Sequence, residues 1–228
     1  MIDKKKEKLI EIILFFLSLG CFFYAFPRWA DPNQNSRLDL VFAVVEDRTF
    51  QIDKYVHNTV DYAKVGEHYY SDKAPGAAFI GIPIYVVLRV GLQTPIVENL
   101  VSRLESSASF RDTLNPEGSG VFGEKVKFAI AQVIIAFFVS ALPTSLITVL
   151  LFRLFGYFDK SFWYRFLAAF SYAILTPAFP YANAFYGHQL SAALVFVTFF
   201  IGFTKSSLLP LKSAFLGFLL AYSVITEY

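Results

Sequence analysis

The sequence predicts an all-α membrane protein with about five transmembrane helices and a large extracytoplasmic first loop that holds juxtamembrane or re-entrant helices. Hydrophobic residues make up 56% of the 228 residues, which is more apolar surface than a soluble domain of this length needs. Five stretches also approach the roughly 20 apolar residues that a bilayer crossing requires. They are Leu9–Phe26, Val126–Phe152, Phe166–Tyr181, Leu190–Phe203 and Ala214–Ile225.

The first apolar stretch predicts an uncleaved N-terminal anchor over residues 1–26. Lysines precede it, and no small-residue cleavage site follows it, as a signal peptide would require. Positive residues favour the cytoplasmic side of a membrane, so the amino end is expected in the cytoplasm. These lysines are Lys4, Lys5, Lys6 and Lys8.

A sixth stretch, Ala77–Leu92, decides the orientation of every later loop. It contains Gly81, Pro83, Arg89 and Gly91, which suit a re-entrant or interface-lying helix better than a lipid-exposed one. If it does not span, the later basic loops lie in the cytoplasm together with the N-terminal lysines. Residues 27–125 then form one extracytoplasmic region, and residues 126–228 form a transmembrane bundle. The basic residues of those loops are Arg153, Lys160, Arg165, Lys205 and Lys212.

Within the extracytoplasmic region, one segment has the apolar spacing of an amphipathic helix. Its apolar residues are expected to lie opposite Asp39 and Glu46, as on a helix resting on the membrane surface. An ordinary amphipathic packing helix fits the same pattern. The apolar residues are Leu38, Val41, Phe42 and Val45.

The stretch "GEHYYSDKAPG" at residues 66–76 concentrates polar groups beside an apolar segment. The ammonium of Lys73 offers a charge to phosphate, and a neighbouring carboxylate such as Asp61 or Asp72 can accept a proton. This combination predicts a pocket for an anionic lipid headgroup, with His68 and tyrosines around it. A solvated Asp–Lys turn that caps a helix is the structural alternative.

Two blocks of the sequence resemble the first extracytoplasmic loop of membrane glycosyltransferases with the GT-C fold. They are "NSRLDLVFAVVEDRTFQIDKY" and "VDYAKVGEHYYSDKAPG", of which "YYSDKAPG" is the more specific part. The similarity is to the archaeal and bacterial branch related to dolichyl-phosphate-mannose protein mannosyltransferases and to the aminoarabinose transferase of lipid A. It extends from about Asn33 to the end, through "YANAFYGHQLSAAL" and "ITEY".

The resemblance implies an inverting transfer of a sugar from a polyprenyl-phosphate carrier to a lipid, glycan or protein acceptor at the outer face of the cytoplasmic membrane. Lys73 is expected to face the carrier phosphate, with Arg37 assisting. Relatives place the catalytic base in an Asp shortly after the first helix, where this chain has "DPNQNSR". Four aspartates remain candidates for that base. They rank as Asp61 and Asp72, then Asp53, with Asp31 as the choice by position.

Further substrate contacts are expected from His68, Tyr70, His188 and Glu227. His188 follows an aromatic turn at the start of a helix, where it can bind a sugar hydroxyl or phosphate oxygen, or satisfy its own helix end. Glu227 is expected at the same face of the membrane.

No metal ligand is assigned, although a divalent ion remains open. Some relatives use such an ion, and Asp61, His68 and Asp72 carry suitable oxygen and nitrogen atoms, but no tight ligand motif occurs. Cys21 is the only cysteine, which excludes a Cys-based site, and a net charge of +2 gives no indication of nucleic acid.

Relatives of this fold continue for several more helices, so the chain is expected to be shorter than the family and to draw on a second chain. The alternative is a non-catalytic or degenerate glycosyltransferase half, or a membrane assembly or transport subunit. Transporters place ionisable residues near the bilayer midplane, whereas the stretches predicted to span here are nearly free of charge.

Overall fold

The chain is mostly helical. The structure, a computed structural model, describes residues 4–25, 31–107, 122–205 and 209–228. A 3₁₀ turn (Val56–Asn58) precedes the strands, and π-helical turns follow α2 (Ala43–Asp47) and join α5 to α6 (Phe137–Ala141). In chain order the main elements are α1 (Lys4–Tyr24), α2 (Pro32–Phe42), β1 (Tyr62–Val65), β2 (His68–Ser71), α3 (Gly76–Leu92), α4 (Pro95–Ser106), α5 (Phe122–Ala136), α6 (Leu142–Phe155), α7 (Phe162–Leu175), α8 (Ala178–Ala182), α9 (His188–Thr204) and α10 (Pro210–Thr226).

Among the described residues, one continuous helix, Val126–Phe155, which includes the π-helical turn between α5 and α6, is long and apolar enough to cross a membrane. Helices α3 and α4 meet that criterion together over Gly76–Leu92 and Pro95–Leu104, but the chain bends by 85° between them. Helices α7, α9 and α10 overlap predicted spans and are apolar but shorter, at 14, 17 and 17 residues. The predicted span Phe166–Tyr181 is interrupted by the break between α7 and α8. The helical character is therefore confirmed, and the number of crossings stays a prediction.

The chain divides into two compact units. The bundle unit comprises Met1–Pro27 and Ala136–Tyr228, and the loop unit comprises Arg28–Ile135. The N-terminal helix thus shares a unit with the C-terminal helices, and the loop unit extends beyond the predicted boundary at residue 125.

In the bundle unit, α1 packs against α6 and α7. One buried cluster joins Leu14, Phe152 and Ala169, while a second joins Phe22 to Ala141, Ala173 and Ala182. The alanines at these contacts leave room for neighbouring helices to pack closely.

In the loop unit, α2 is buried along most of its length. Leu38 and Val41 are fully buried, and the ring of Phe42 stacks on Phe128 with centroids 5.4 Å apart. The amide of Gln132 donates to Gln34 Oε1 at 3.0 Å, so a buried polar pair joins α2 to α5. Helix α2 is therefore the centre of this unit.

The expectation that Asp39 lies on an exposed polar face of an amphipathic surface helix is wrong. Asp39 is fully buried, because α3, β2 and the Val56–Asn58 turn all pack around α2. Helical spacing identifies the apolar stripe but does not reveal which other elements will cover the remaining faces.

The hairpin of β1 and β2 was not predicted from the sequence. The strands are antiparallel, and Val65 pairs with His68 across a two-residue turn in which Gly66 has a φ of 62°. Glycine adopts this left-handed backbone at no steric cost, so it suits a tight hairpin turn. The strand-forming tyrosines and valine around "GE" were the available signal.

Candidate functional site

The open end of the hairpin brings three predicted site residues together. Asp61 precedes β1 and Asp72 follows β2, and the pairing of Tyr62 with Ser71 places these two aspartates side by side. The Nζ atom of Lys73 lies 3.0 Å from Asp61 Oδ2 and 3.2 Å from Asp72 Oδ1. We call Asp61, Asp72 and Lys73 the carboxylate–lysine cluster.

The cluster is partly open to solvent and carries one net negative charge. Burial lowers the pKa of Lys73, but hydrogen bonds and charge attraction from Asp61 and Asp72 outweigh it, so this pKa is raised. The ammonium therefore stays protonated across the physiological range. It has three N–H donors, and two of them are directed at carboxylates, which leaves one for a further acceptor.

Helix α2 fixes the segment that carries the cluster. The guanidinium of Arg37 donates from Nη1 to the Ala74 carbonyl at 2.8 Å and from Nε to Asn33 Oδ1 at 3.1 Å. The hydroxyls of Ser36 and Ser71 lie 2.8 Å apart. The backbone is thus held on both sides of Asp72 and Lys73.

Arg37 itself is only 2% exposed. The sequence predicted that Arg37 helps to bind the carrier phosphate, whereas in the structure its guanidinium contacts the turn that carries Lys73. Its hydrogen bond to Ala74 makes it a positioning residue in this arrangement.

Asp53 and His68 form a separate pair beside the hairpin. Asp53 Oδ1 accepts from the backbone N–H of Tyr69 at 2.6 Å, and Oδ2 lies 2.7 Å from His68 Nδ1. The backbone hydrogen bond from Tyr69, followed by that of His68, holds the pKa of Asp53 below its usual range. Because both oxygens are engaged and the basicity is lowered, Asp53 is less suited to proton abstraction than the cluster aspartates.

Two further predicted residues have structural contacts. Asp31 is the N-cap of α2, and its Oδ1 accepts from the backbone N–H of Asn33 at 2.9 Å. Tyr70 is half-buried in β2, where it pairs with Ala63 and forms a bridge with Gln51. Neither belongs to the carboxylate–lysine cluster.

The structure also identifies an acid that sequence reasoning missed. Asp39 Oδ1 accepts from Asn58 Nδ2 at 2.9 Å, while its Oδ2 has no hydrogen-bond partner among the described residues. Burial raises the pKa of Asp39 to about 8, although the Asn58 hydrogen bond acts to lower it. No sequence signal marks this site, because Asn58 comes from a turn 19 residues away.

This buried acid predicts a pH-dependent stability. The pKa of Asp39 is about 8 in the folded chain and 3.8 when unperturbed, so its contribution to stability is full below about pH 4 and is lost as the pH rises towards 8. We expect Asp39→Asn, which cannot ionise, to flatten the fall in thermal midpoint of the detergent-solubilised protein between pH 5 and about pH 8. Asp47→Asn, at an exposed acid of the same unit, should keep the wild-type slope. An unchanged slope in Asp39→Asn would assign the pH dependence to another group.

His188 and Glu227 meet in the bundle unit. His188 Nδ1 lies 3.5 Å from Glu227 Oε2, and the imidazole contacts the rings of Tyr181 and Tyr186 with centroids 4.5 and 5.7 Å away. A Cβ atom on Gly187 would lie 2.1 Å from the Thr226 carbonyl oxygen. Only glycine therefore allows the end of α10 to approach the start of α9 this closely.

The three suggested metal ligands do not converge. Asp61 and Asp72 lie at the open end of the hairpin, whereas His68 lies at its turn and bonds to Asp53. Within the described ranges, no group of three or more His, Cys, Asp or Glu side chains is arranged to hold a metal ion.

The predicted site residues divide between the two units. His188 and Glu227 belong to the bundle unit, and the other eight, Asp31, Arg37, Asp53, Asp61, His68, Tyr70, Asp72 and Lys73, belong to the loop unit. No protein-family model, curated protein or solved structure matches this chain.

Proposed function

We propose that this chain is a multi-pass membrane glycosyltransferase that moves a sugar from a polyprenyl-phosphate donor to an acceptor at the extracytoplasmic face. The observation that supports this best is the carboxylate–lysine cluster. Transfer from a phosphate carrier needs positive charge at the leaving phosphate and a base at the acceptor hydroxyl. Lys73 supplies the charge, and Asp61 and Asp72 supply two carboxylates within 3.2 Å of it.

The transfer proceeds as a single displacement that inverts the anomeric carbon. A cluster carboxylate takes the proton of the acceptor hydroxyl while the acceptor oxygen bonds to that carbon. The bond from the carbon to the phosphate oxygen breaks, and the phosphate leaves with its electron pair. The remaining N–H of Lys73 donates to that phosphate, and the second carboxylate keeps the ammonium oriented.

The surrounding residues support this chemistry in different ways. Arg37 positions the Lys73 turn through the Ala74 carbonyl, and Asp53 fixes the hairpin through Tyr69. His68 and Tyr70 lie on the hairpin and are candidates for sugar contacts. His188 and Glu227 form a polar pair in the bundle unit.

The proposed topology places the loop unit outside the cell and the basic loops inside. We expect Cys substituted at Ser161 to be shielded from an impermeant thiol reagent in intact cells, while Cys at Ser107 reacts, both with Cys21 replaced by Ser. Ser207, outside the described residues, should behave like Ser161. The reason is the excess of Lys and Arg in the loops assigned to the cytoplasm. Labelling at Ser161 would instead indicate that Ala77–Leu92 crosses the membrane.

The direct test is sugar transfer by the full chain. The chain is expressed alone or together with the product of a neighbouring gene, then purified and placed in liposomes. Each preparation is incubated with a panel of radiolabelled polyprenyl-phosphate sugars. We expect label to leave the lipid fraction and polyprenyl phosphate to be released. The matched control is the double variant Asp61→Asn/Asp72→Asn, and equal release by this variant and by wild type would reject the proposal.

A second candidate is a membrane assembly or transport subunit, or a glycosyltransferase half without activity. Polar side chains inside the bundle unit favour it, since Gln189 Oε1 accepts from Thr144 Oγ1 and Tyr172 OH, each at 3.1 Å. Buried polar groups between apolar helices mark functional paths in many membrane proteins. Failure of every sugar donor, with and without the neighbouring product, would favour this candidate.

A further inference from the structure

The bundle unit contains a cavity of about 690 Å³ that the proposed sugar transfer does not use. Its walls come from the start of α1, the end of α6 and the end of α9. His188 stands at the opposite end of α9, so the cavity is distant from the polar pair of His188 and Glu227. Its volume lies in the range of small-molecule sites, which are roughly 300–1,000 Å³.

Two ion pairs form the polar wall of the cavity. Arg153 binds the carboxylate of Glu11 through Nε at 2.7 Å and Nη2 at 2.6 Å, and Arg165 Nη2 donates to Glu7 Oε1. These pairs join α1 to α6 and α7. The two glutamates balance the charge of the two arginines, so these pairs add no net charge to the cavity.

The lysines of the cavity carry the excess charge. Lys160 Nζ donates to the Gly156 carbonyl, which leaves two of its three N–H donors. Lys205 lines the same cavity; its backbone N–H donates to the Ile201 carbonyl, while its side chain makes no hydrogen bond or ion pair within the part of the chain that the structure describes. With the glutamates already paired, Lys160 and Lys205 give the cavity a net charge of about +2, which calls for an anion.

The other wall is apolar. Phe200 and Ile201 line it from α9, and Tyr157 is a further lining residue. A small soluble anion gains no binding energy from an apolar wall. A phospholipid does, because its acyl chains lie next to its phosphate. Basic pockets between helices at the cytoplasmic side of membrane proteins bind anionic headgroups for the same reason.

We propose that this cavity binds the phosphate headgroup of an anionic membrane lipid. Lys160 and Lys205 contact the phosphate, and the first part of the acyl chains packs against Phe200 and Ile201. Lys4 and Lys8 on the first turns of α1 add attraction for the same leaflet. This proposal does not depend on sugar transfer.

The test compares lipids of equal chain length. The full chain is purified in detergent and equilibrated in mixed micelles with phosphatidylglycerol or phosphatidylcholine, and bound lipid is counted by intact-protein mass spectrometry. We expect phosphatidylglycerol to bind at least about fivefold better, since each basic residue near an anionic surface contributes about 1 kcal/mol. The preference should vanish in Lys160→Gln/Lys205→Gln. It should persist in Lys64→Gln, which removes an exposed lysine that does not line the cavity.

A second experiment with inorganic phosphate distinguishes a lipid headgroup from a soluble phosphate as the ligand of this cavity. If phosphate raises the thermal midpoint in a manner that requires Lys160 and Lys205, while the two lipids bind equally, the ligand is a soluble phosphate and the lipid assignment fails. Equal binding of both lipids without any phosphate effect overturns the site altogether. The same is true if Lys160→Gln/Lys205→Gln keeps the full lipid preference. If this variant does not fold, the single variants Lys160→Gln and Lys205→Gln decide instead, since each should lower the preference for phosphatidylglycerol.

Discussion

Asp61→Asn or Asp72→Asn is expected to lower sugar turnover by roughly 10²–10⁴-fold, the range that general-base catalysis contributes. The amide keeps the shape and hydrogen-bonding reach of the carboxylate but cannot take a proton. Both aspartates contact Lys73, so each substitution also weakens an ion pair. The residue that acts as base is the one whose amide variant still binds the donor lipid but no longer transfers the sugar. Single-turnover rates measured at saturating donor make this distinction.

The other two aspartates provide matched controls. Asp31 caps α2, and Asn caps a helix about as well as Asp, so Asp31→Asn should be mild. In Asp53→Asn the amide oxygen can still accept from the Tyr69 backbone, so turnover should stay within a few-fold of wild type. If all four variants retain near-normal transfer, the base does not lie in this region and must come from Glu227, another loop or a partner chain.

Lys73→Ala is expected to raise the apparent requirement for lipid donor at least tenfold. A hydrogen bond to a charged partner is worth roughly 1.5–3 kcal/mol, and the substitution also leaves Asp61 and Asp72 adjacent without their shared cation. Two neighbouring carboxylates repel both each other and an incoming phosphate. The measurement is the rate of sugar release as a function of donor concentration.

Lys73→Arg should restore the donor requirement only in part, because a planar guanidinium presents its charge in a different geometry. Lys64→Ala removes an exposed lysine from β1 of the same hairpin and should leave donor dependence unchanged. Thermal midpoints establish that each variant is folded. A wild-type donor requirement in folded Lys73→Ala would remove Lys73 from the site.

The sequence predicted that Asp61, Asp72 and Lys73 belong to one site, but it did not predict how they are arranged in space. Their polarity beside an apolar segment indicated a site, while the hairpin register that makes Asp61 adjacent to Asp72 was not predicted. His68 was assigned to the same pocket by its closeness in sequence. It lies at the far end of the hairpin, because an antiparallel pair separates its turn from its open end.

Arg37 and Asp39, both on α2, also have hydrogen-bond partners that the sequence did not predict. Both are polar residues on a segment with apolar spacing, so a surface helix with an exposed polar face was a reasonable prediction. In the fold, Arg37 donates to Ala74 and Asp39 accepts from Asn58, 37 and 19 residues away in the chain. A buried polar group needs partners, and the spacing within a helix does not reveal partners that come from other elements.

The sequence by itself determined the helical class, the apolar segments and the polar stretch around Lys73, because side-chain hydrophobicity and local spacing are properties of consecutive residues. Only the tertiary structure decided that Asp53 bonds to Tyr69 and His68, that Gly187 admits the end of α10, and that Lys160 and Lys205 line one cavity. These contacts join residues from different elements. They form only when the packing of those elements brings the side chains together, and that packing depends on the whole chain rather than on any local segment.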